Sequence, residues 1–127
     1  MIPMILWGRC VPIFIKKTSS KSEVDALLND VRIAVENGKI NFDTRKQKNM
    51  DTLAGLGYTI DQAYDEICSL SYDHYISGPE PHDKYPHLEE IWVFKKEIFT
   101  RLVYIKLWVM YSKDGRVATL SFHFDNM

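Results

Sequence analysis

The chain has little that would support redox, metal or membrane chemistry. Only two cysteines occur among its 127 residues. Cys10 and Cys68 lie far apart, with neither the paired spacing of a zinc site nor the density of a disulfide framework. Cys68 falls on an apolar position of a predicted helix and is expected to be a small buried thiol. There is no glycine-rich phosphate loop, no paired-carboxylate arrangement of a glycosidase and no Cys/His nucleophile pair. Long apolar runs are missing too. Residues 1–6 and 11–15 are broken up by Pro3, Gly8-Arg9 and Pro12, too short to span a bilayer and unlike a signal peptide, so a cytoplasmic protein without a membrane partner is expected. Nor is there an internal repeat or a low-complexity tract.

An excess of either charge is also absent. Sixteen Lys and Arg against seventeen Asp and Glu leave a net charge of −1, which speaks against nucleic-acid binding by the whole surface. The distribution is uneven, however. Residues 1–21 hold Arg9, Lys16, Lys17 and Lys21 and no acid. Lys39, Arg45, Lys46 and Lys48 cluster next, and Lys95, Lys96, Arg101, Lys106, Lys113 and Arg116 follow in the last third.

What is present is a globular composition, 46% hydrophobic and 13% aromatic, in a chain long enough for one core. The last third organises it. Residues 91–98, 102–111 and 117–124 are rich in Val, Ile, Trp, Phe and Tyr and read as three strands. Asp114-Gly115 supplies a turn that tolerates positive φ. Within the second strand Val103, Ile105, Leu107 and Val109 point to one face, and Tyr104, Lys106 and Trp108 to the other. A two- or four-residue loop around Asp114-Gly115 places Lys106 opposite His123, and an odd loop breaks that pairing. An even turn at Phe99-Thr100 brings Lys95 and Val93 to the same face. A face of Lys95, Tyr104, Lys106, Ser121 and His123 can hold a phosphodiester and move its protons. The same residue types are also ordinary on the solvated face of an antiparallel sheet.

Before the sheet, helices are predicted over residues 22–37 and from Asp43 to Leu56, stopped by Gly38 and Gly57. A third follows the capping box Thr59-Ile60-Asp61-Gln62 and continues through Leu70. Lys39–Phe42 reads as an extended link, and residues 78–87 as a proline-stiffened loop. That loop carries His82, Asp83 and His87, whose spacing matches no closed tetrahedral site, so no metal and no cofactor is expected. The expected fold is α+β, about three N-terminal helices packed on a C-terminal antiparallel β-meander. Residues 1–21 form an extension and 22–127 a single domain.

Several strings then go further. Phe42-Asp43-Thr44-Arg45-Lys46-Gln47-Lys48-Asn49, Asp73-His74-Tyr75, Gly78-Pro79-Glu80-Pro81, Ile91-Trp92-Val93-Phe94, Val103-Tyr104-Ile105-Lys106-Leu107 and Ser121-Phe122-His123 stand in this order. Together they resemble toxins of the motility quorum-sensing regulator (MqsR) family. The resemblance runs from about Val24 to Phe124. It implies a RelE-like fold, a cognate antitoxin as partner, and metal-independent, ribosome-independent endonucleolytic cleavage of mRNA. In that chemistry the 2′-hydroxyl attacks the adjacent phosphate, leaving a 2′,3′-cyclic phosphate and a 5′-hydroxyl. The family's catalytic tyrosine falls on Tyr104, and a lysine near the chain end falls on His123, whose imidazole suits acid–base work. A family lysine is Ile76 here and a glutamine is Val93, so Lys84, Lys95 or Lys106 would supply the missing charge. Arg45, Lys46 and Lys48 are the further candidates for RNA contact. A second class of function stays open on Ile76, Val93 and the near-neutral charge. It is a catalytically weakened protein-binding module, such as a phage-borne inhibitor of a host defence enzyme.

Overall fold

Capping and glycine punctuation place the helices much as the sequence suggests. In this computed structural model, which describes residues 19–81 and 89–126, Ser20 opens α1 (Lys21–Glu36) with a capping box. Its hydroxyl accepts the Glu23 N–H, and the Glu23 carboxylate accepts the Ser20 N–H. Val24, Leu27, Leu28, Val31 and Ala34 form the buried stripe. A second capping box at Thr59 starts α3 (Ile60–Cys68), two residues shorter than expected. Arg32 of α1 then donates to the carbonyls of Cys68 and Leu70 at 2.8 and 3.0 Å, tying the helices together where α3 ends. Cys68 is partly exposed rather than buried, because it closes the helix at this rim.

The middle helix differs from expectation. α2 spans Gln47–Leu56 and does not begin at Asp43. The Asp43 carboxylate accepts the Arg45 backbone N–H at 3.1 Å, a local turn that competes with helix formation. Arg45 and Lys46 therefore precede the helix, and only Lys48 sits in its first turn.

Among the described residues five strands make one sheet in the order β1-β5-β4-β3-β2, with β1 at Ile40–Phe42, β2 at Tyr75–Pro81, β3 at Glu89–Ile98, β4 at Arg101–Met110 and β5 at Arg116–Phe124. The antiparallel meander is present from β2 to β5, but the sheet is mixed. The segment expected as a link, Ile40–Phe42, pairs parallel with Val117–Thr119, after α2, α3 and the strands β2 to β4 have intervened. Gly78–Pro81, expected in a loop, belongs to β2. Among the described residues β2 pairs with a strand on one side only, a position that tolerates prolines. Gly78 adopts φ 127°, and a Cβ there would stand 2.8 Å from the Ile91 carbonyl oxygen.

The helices cover one face of this sheet. Val103, Ile105, Leu107 and Val109 of β4 meet Val117, Phe122 and Phe124 of β5 and the helical stripe in a single core. β1 ends after Phe42, so among the described residues the second half of β5 has no strand neighbour on that side. Side chains of α2 take its place. The Asn49 Oδ1 accepts the Phe122 N–H and the Thr52 hydroxyl accepts the Phe124 N–H, both at 3.0 Å, and both side chains are fully buried. One face of a helix thus satisfies the edge of a strand. Among the described residues no helix is long and apolar enough to cross a membrane.

Candidate functional site

The face away from the helices is set by a parity argument with an unexpected solution. Between Met110 and Arg116, which pair, the chain makes a five-residue connection through a 3-10 turn at Tyr111–Lys113 and a left-handed Asp114. An odd connection alone would turn His123 into the core. One extra residue at Leu120 shifts the register between Lys106 and Leu107 and restores it. Consequently Tyr104, not Lys106, lies opposite His123, and Lys106 lies opposite Ser121. The expected Lys106–His123 pairing is corrected by one step along the strand, while all four side chains keep the expected face. The turn at Phe99-Thr100 is the two-residue turn expected, so Lys95 faces Tyr104 and Val93 faces Lys106.

Across the sheet, Lys95, Tyr104 and His123 form one row. The Tyr104 and His123 rings stack with centroids 5.3 Å apart and planes 23° apart. His123 Nδ1 lies 3.0 Å from the Phe124 carbonyl oxygen. A carbonyl only accepts, so Nδ1 carries the proton, and in the neutral ring Nε2 keeps its lone pair for proton transfer. Burial pushes the Tyr104 phenol above its ordinary range. The Glu80 carboxylate acts in the same direction, and Lys95 opposes it. The phenol therefore holds its proton near neutrality and acts as a hydrogen-bond donor. Lys95 is shared with Asp125 at 3.2 Å, which fixes its ammonium beside the ring pair. Lys106, half-buried in the next row beside Ser121, adds a second cation.

The other sequence candidates separate from this row. Arg45 and Lys46 stand exposed on the turn before α2, where Arg45 pairs with Asp43 at 3.0 Å, and Lys48 follows on the helix. Lys84 lies outside the described residues, as do His82, Asp83 and His87. Among the described residues no cluster of His, Cys, Asp or Glu could hold a metal. Ile76 is 44% exposed, and Val93 is buried beside Lys106. Neither offers a polar group. Sequence reasoning missed Asp125, which lies past the last predicted strand, and Glu80, which lies in the stretch read as a loop. Asp125 reaches the site through its ion pair with Lys95, and Glu80 through its charge acting on the Tyr104 phenol. Asn49 was also missed as a support, although its Nδ2 donates to the Leu120 and Asp43 carbonyls at 3.2 and 3.0 Å and so clasps the bulge that orients His123.

The fold and this face together define an α+β protein that presents a stacked phenol–imidazole pair and two ammonium groups on rigid strands. No family model, curated protein or solved structure matches the chain.

Proposed function

We propose that the protein is a metal-independent endoribonuclease of the RelE-like, MqsR type, a toxin that cuts mRNA in the cytoplasm and is held in check by a cognate antitoxin. The observation that carries this reading is the Tyr104–His123 stack, with Nδ1 engaged and Nε2 left for proton transfer, flanked by Lys95 and Lys106. Cleavage by an internal 2′-hydroxyl needs a base, an acid and cationic support for the phosphorane, and no redox group. His123 Nε2 accepts the 2′-hydroxyl proton. Its imidazolium, or the Tyr104 phenol, supplies the proton that the departing 5′-oxygen takes. Lys95 and Lys106 balance the charge that develops on the phosphate oxygens.

The test is incubation of the purified protein with a long unstructured RNA in EDTA, with mapping of the cut ends. Cleavage with 2′,3′-cyclic phosphate ends is expected. His123→Ala and Tyr104→Phe each lower the rate by at least about tenfold while the fold persists. Cleavage by both variants at the wild-type rate would remove this site assignment, and its absence in the folded wild type would remove the enzyme.

A second reading, a protein-binding module such as an inhibitor of a host defence enzyme, is favoured by the apolar surface at Ile76, Phe99 and Leu102, which are 44, 69 and 44% exposed. Under that reading, charge substitutions at these three positions abolish activity and His123→Ala leaves it intact.

A further inference from the structure

Charge is sorted along the strands of the Tyr104–His123 face. Among the described residues the end next to the Phe99-Thr100 turn carries two carboxylates. Glu97 of β3 lies opposite Leu102, and Asp125, two residues beyond His123, donates its backbone N–H to the Leu102 carbonyl at 2.9 Å. The next row holds Lys95, whose ammonium is matched by Asp125 at 3.2 Å. Lys106 follows one row further. Arg116 stands at the far end, opposite Met110, and shares the face because its neighbour Val117 points into the core. From the side, exposed Arg45 lines one groove with Ala118 and Leu120 of β5, and exposed Lys46 follows it.

The groups that could blur this order leave it intact. Arg101 also stands at the hairpin end, but its guanidinium lies 3.4 Å from the centroid of the Phe124 ring, on the helix side of the sheet. Asp43 offsets Arg45, yet residues 43–48 still hold three cations against that one acid. Glu80 of β2, opposite Ile91, adds a third carboxylate on the border away from α2. The four two-residue steps from Leu102 to Met110 span about 27 Å, well beyond the screening length of about 10 Å at 0.1 M salt. Each end of the face therefore acts on its own stretch of a bound polyanion.

We infer that an RNA strand lies one-sidedly on this face. The scissile linkage sits at the Tyr104–His123 row, the phosphates of one flank run past Lys106 towards Arg45, Lys46 and Arg116, and those of the other flank meet the Glu97–Asp125 rim and gain no contact. The inference rests on the RNA-cleaving reading and adds to it that only one flank of the cut linkage is held. The contacts are ammonium and guanidinium groups, so the held flank is read through its phosphate charge and not through its bases.

The test is cleavage of a minimal substrate, one ribonucleotide joined to one deoxynucleotide with mixed bases, in which a single 2′-hydroxyl fixes the cut. A short run of abasic deoxyribose phosphates is added to its 5′ side, its 3′ side or neither, and kcat/KM is measured for each. One extension alone is expected to raise kcat/KM at least about tenfold at about 50 mM salt, the other to change it less than about twofold, and about 200 mM salt to remove most of the gain. Lys46→Gln combined with Arg116→Gln is expected to cut the gain to below about threefold. Equal gains from the two extensions, a gain that survives salt, or a gain untouched by the double variant overturns the inference and leaves the nuclease. So does cleavage of a long RNA when none of the short substrates is cut. Cleavage of neither the short substrates nor a long RNA removes the nuclease reading and the inference with it.

Discussion

Replacing Asn49 by alanine is the sharpest test of how the site is supported. This amide is fully buried and makes three hydrogen bonds to backbone groups. It accepts from the Phe122 N–H and donates to the Leu120 and Asp43 carbonyls, at 3.0 to 3.2 Å. Each neutral hydrogen bond contributes about 1 kcal/mol net, and a buried group left unpaired costs more than its bond was worth. Asn49→Ala is therefore expected to destabilise the fold by about 3–4 kcal/mol, a large part of the about 5–15 kcal/mol available to a domain of this kind. With a urea slope of about 2 kcal/mol per molar, the unfolding midpoint should fall by about 2 M. Because one lost bond clasps Leu120, the RNA cleavage proposed for this face should fall too, even without urea, where circular dichroism shows native structure. A midpoint change equivalent to less than about 1 kcal/mol would mean that water or relaxed backbone replaces the amide. The clasp would then not be what holds the bulge.

Two further outcomes follow from other parts of the molecule. Phe99 and Thr100 both occupy the left-handed region, at φ 50° and 70°, where a β-branched residue is strained, so Thr100→Gly should stabilise by about 1 kcal/mol and raise the melting temperature by a few degrees. Burial alone would push the Glu66 carboxylate up, but hydrogen bonds from Lys96, at 2.6 Å, and Tyr58 outweigh it and hold it below its ordinary value of 4.5. A depressed folded-state value means that this contribution is present above about pH 4.5 and is lost as the pH falls through the lower folded value. Lys96→Met should therefore flatten the acid side of the stability profile measured by urea unfolding, and an unchanged acid limb would show that the ion pair is not linked to folding.

Local chemistry in the sequence determined the pieces. The Thr59 capping box, the glycine stops and the alternation of Val103, Ile105, Leu107 and Val109 each depend on neighbours a few residues away, so the helices, most of the strands and the face of β4 that holds Tyr104 and Lys106 were legible. The parallel edge strand was not. Ile40–Phe42 is only three residues long and becomes a strand because β5 offers it an open edge, which no local preference encodes. The partner of His123 was hidden for a related reason: a five-residue connection and a one-residue bulge each change the register, and only their combination restores the face. Asn49 and Thr52 look like ordinary polar positions of a helix until the edge of β5 is brought against them. Alternation settles which side chains of one strand share a face, because it is a property of the strand, but whether His123 of β5 joins the face of Tyr104 was left to the register. Tertiary structure alone decided which of them touch, because register depends on how loops, bulges and a neighbouring helix satisfy the same backbone groups.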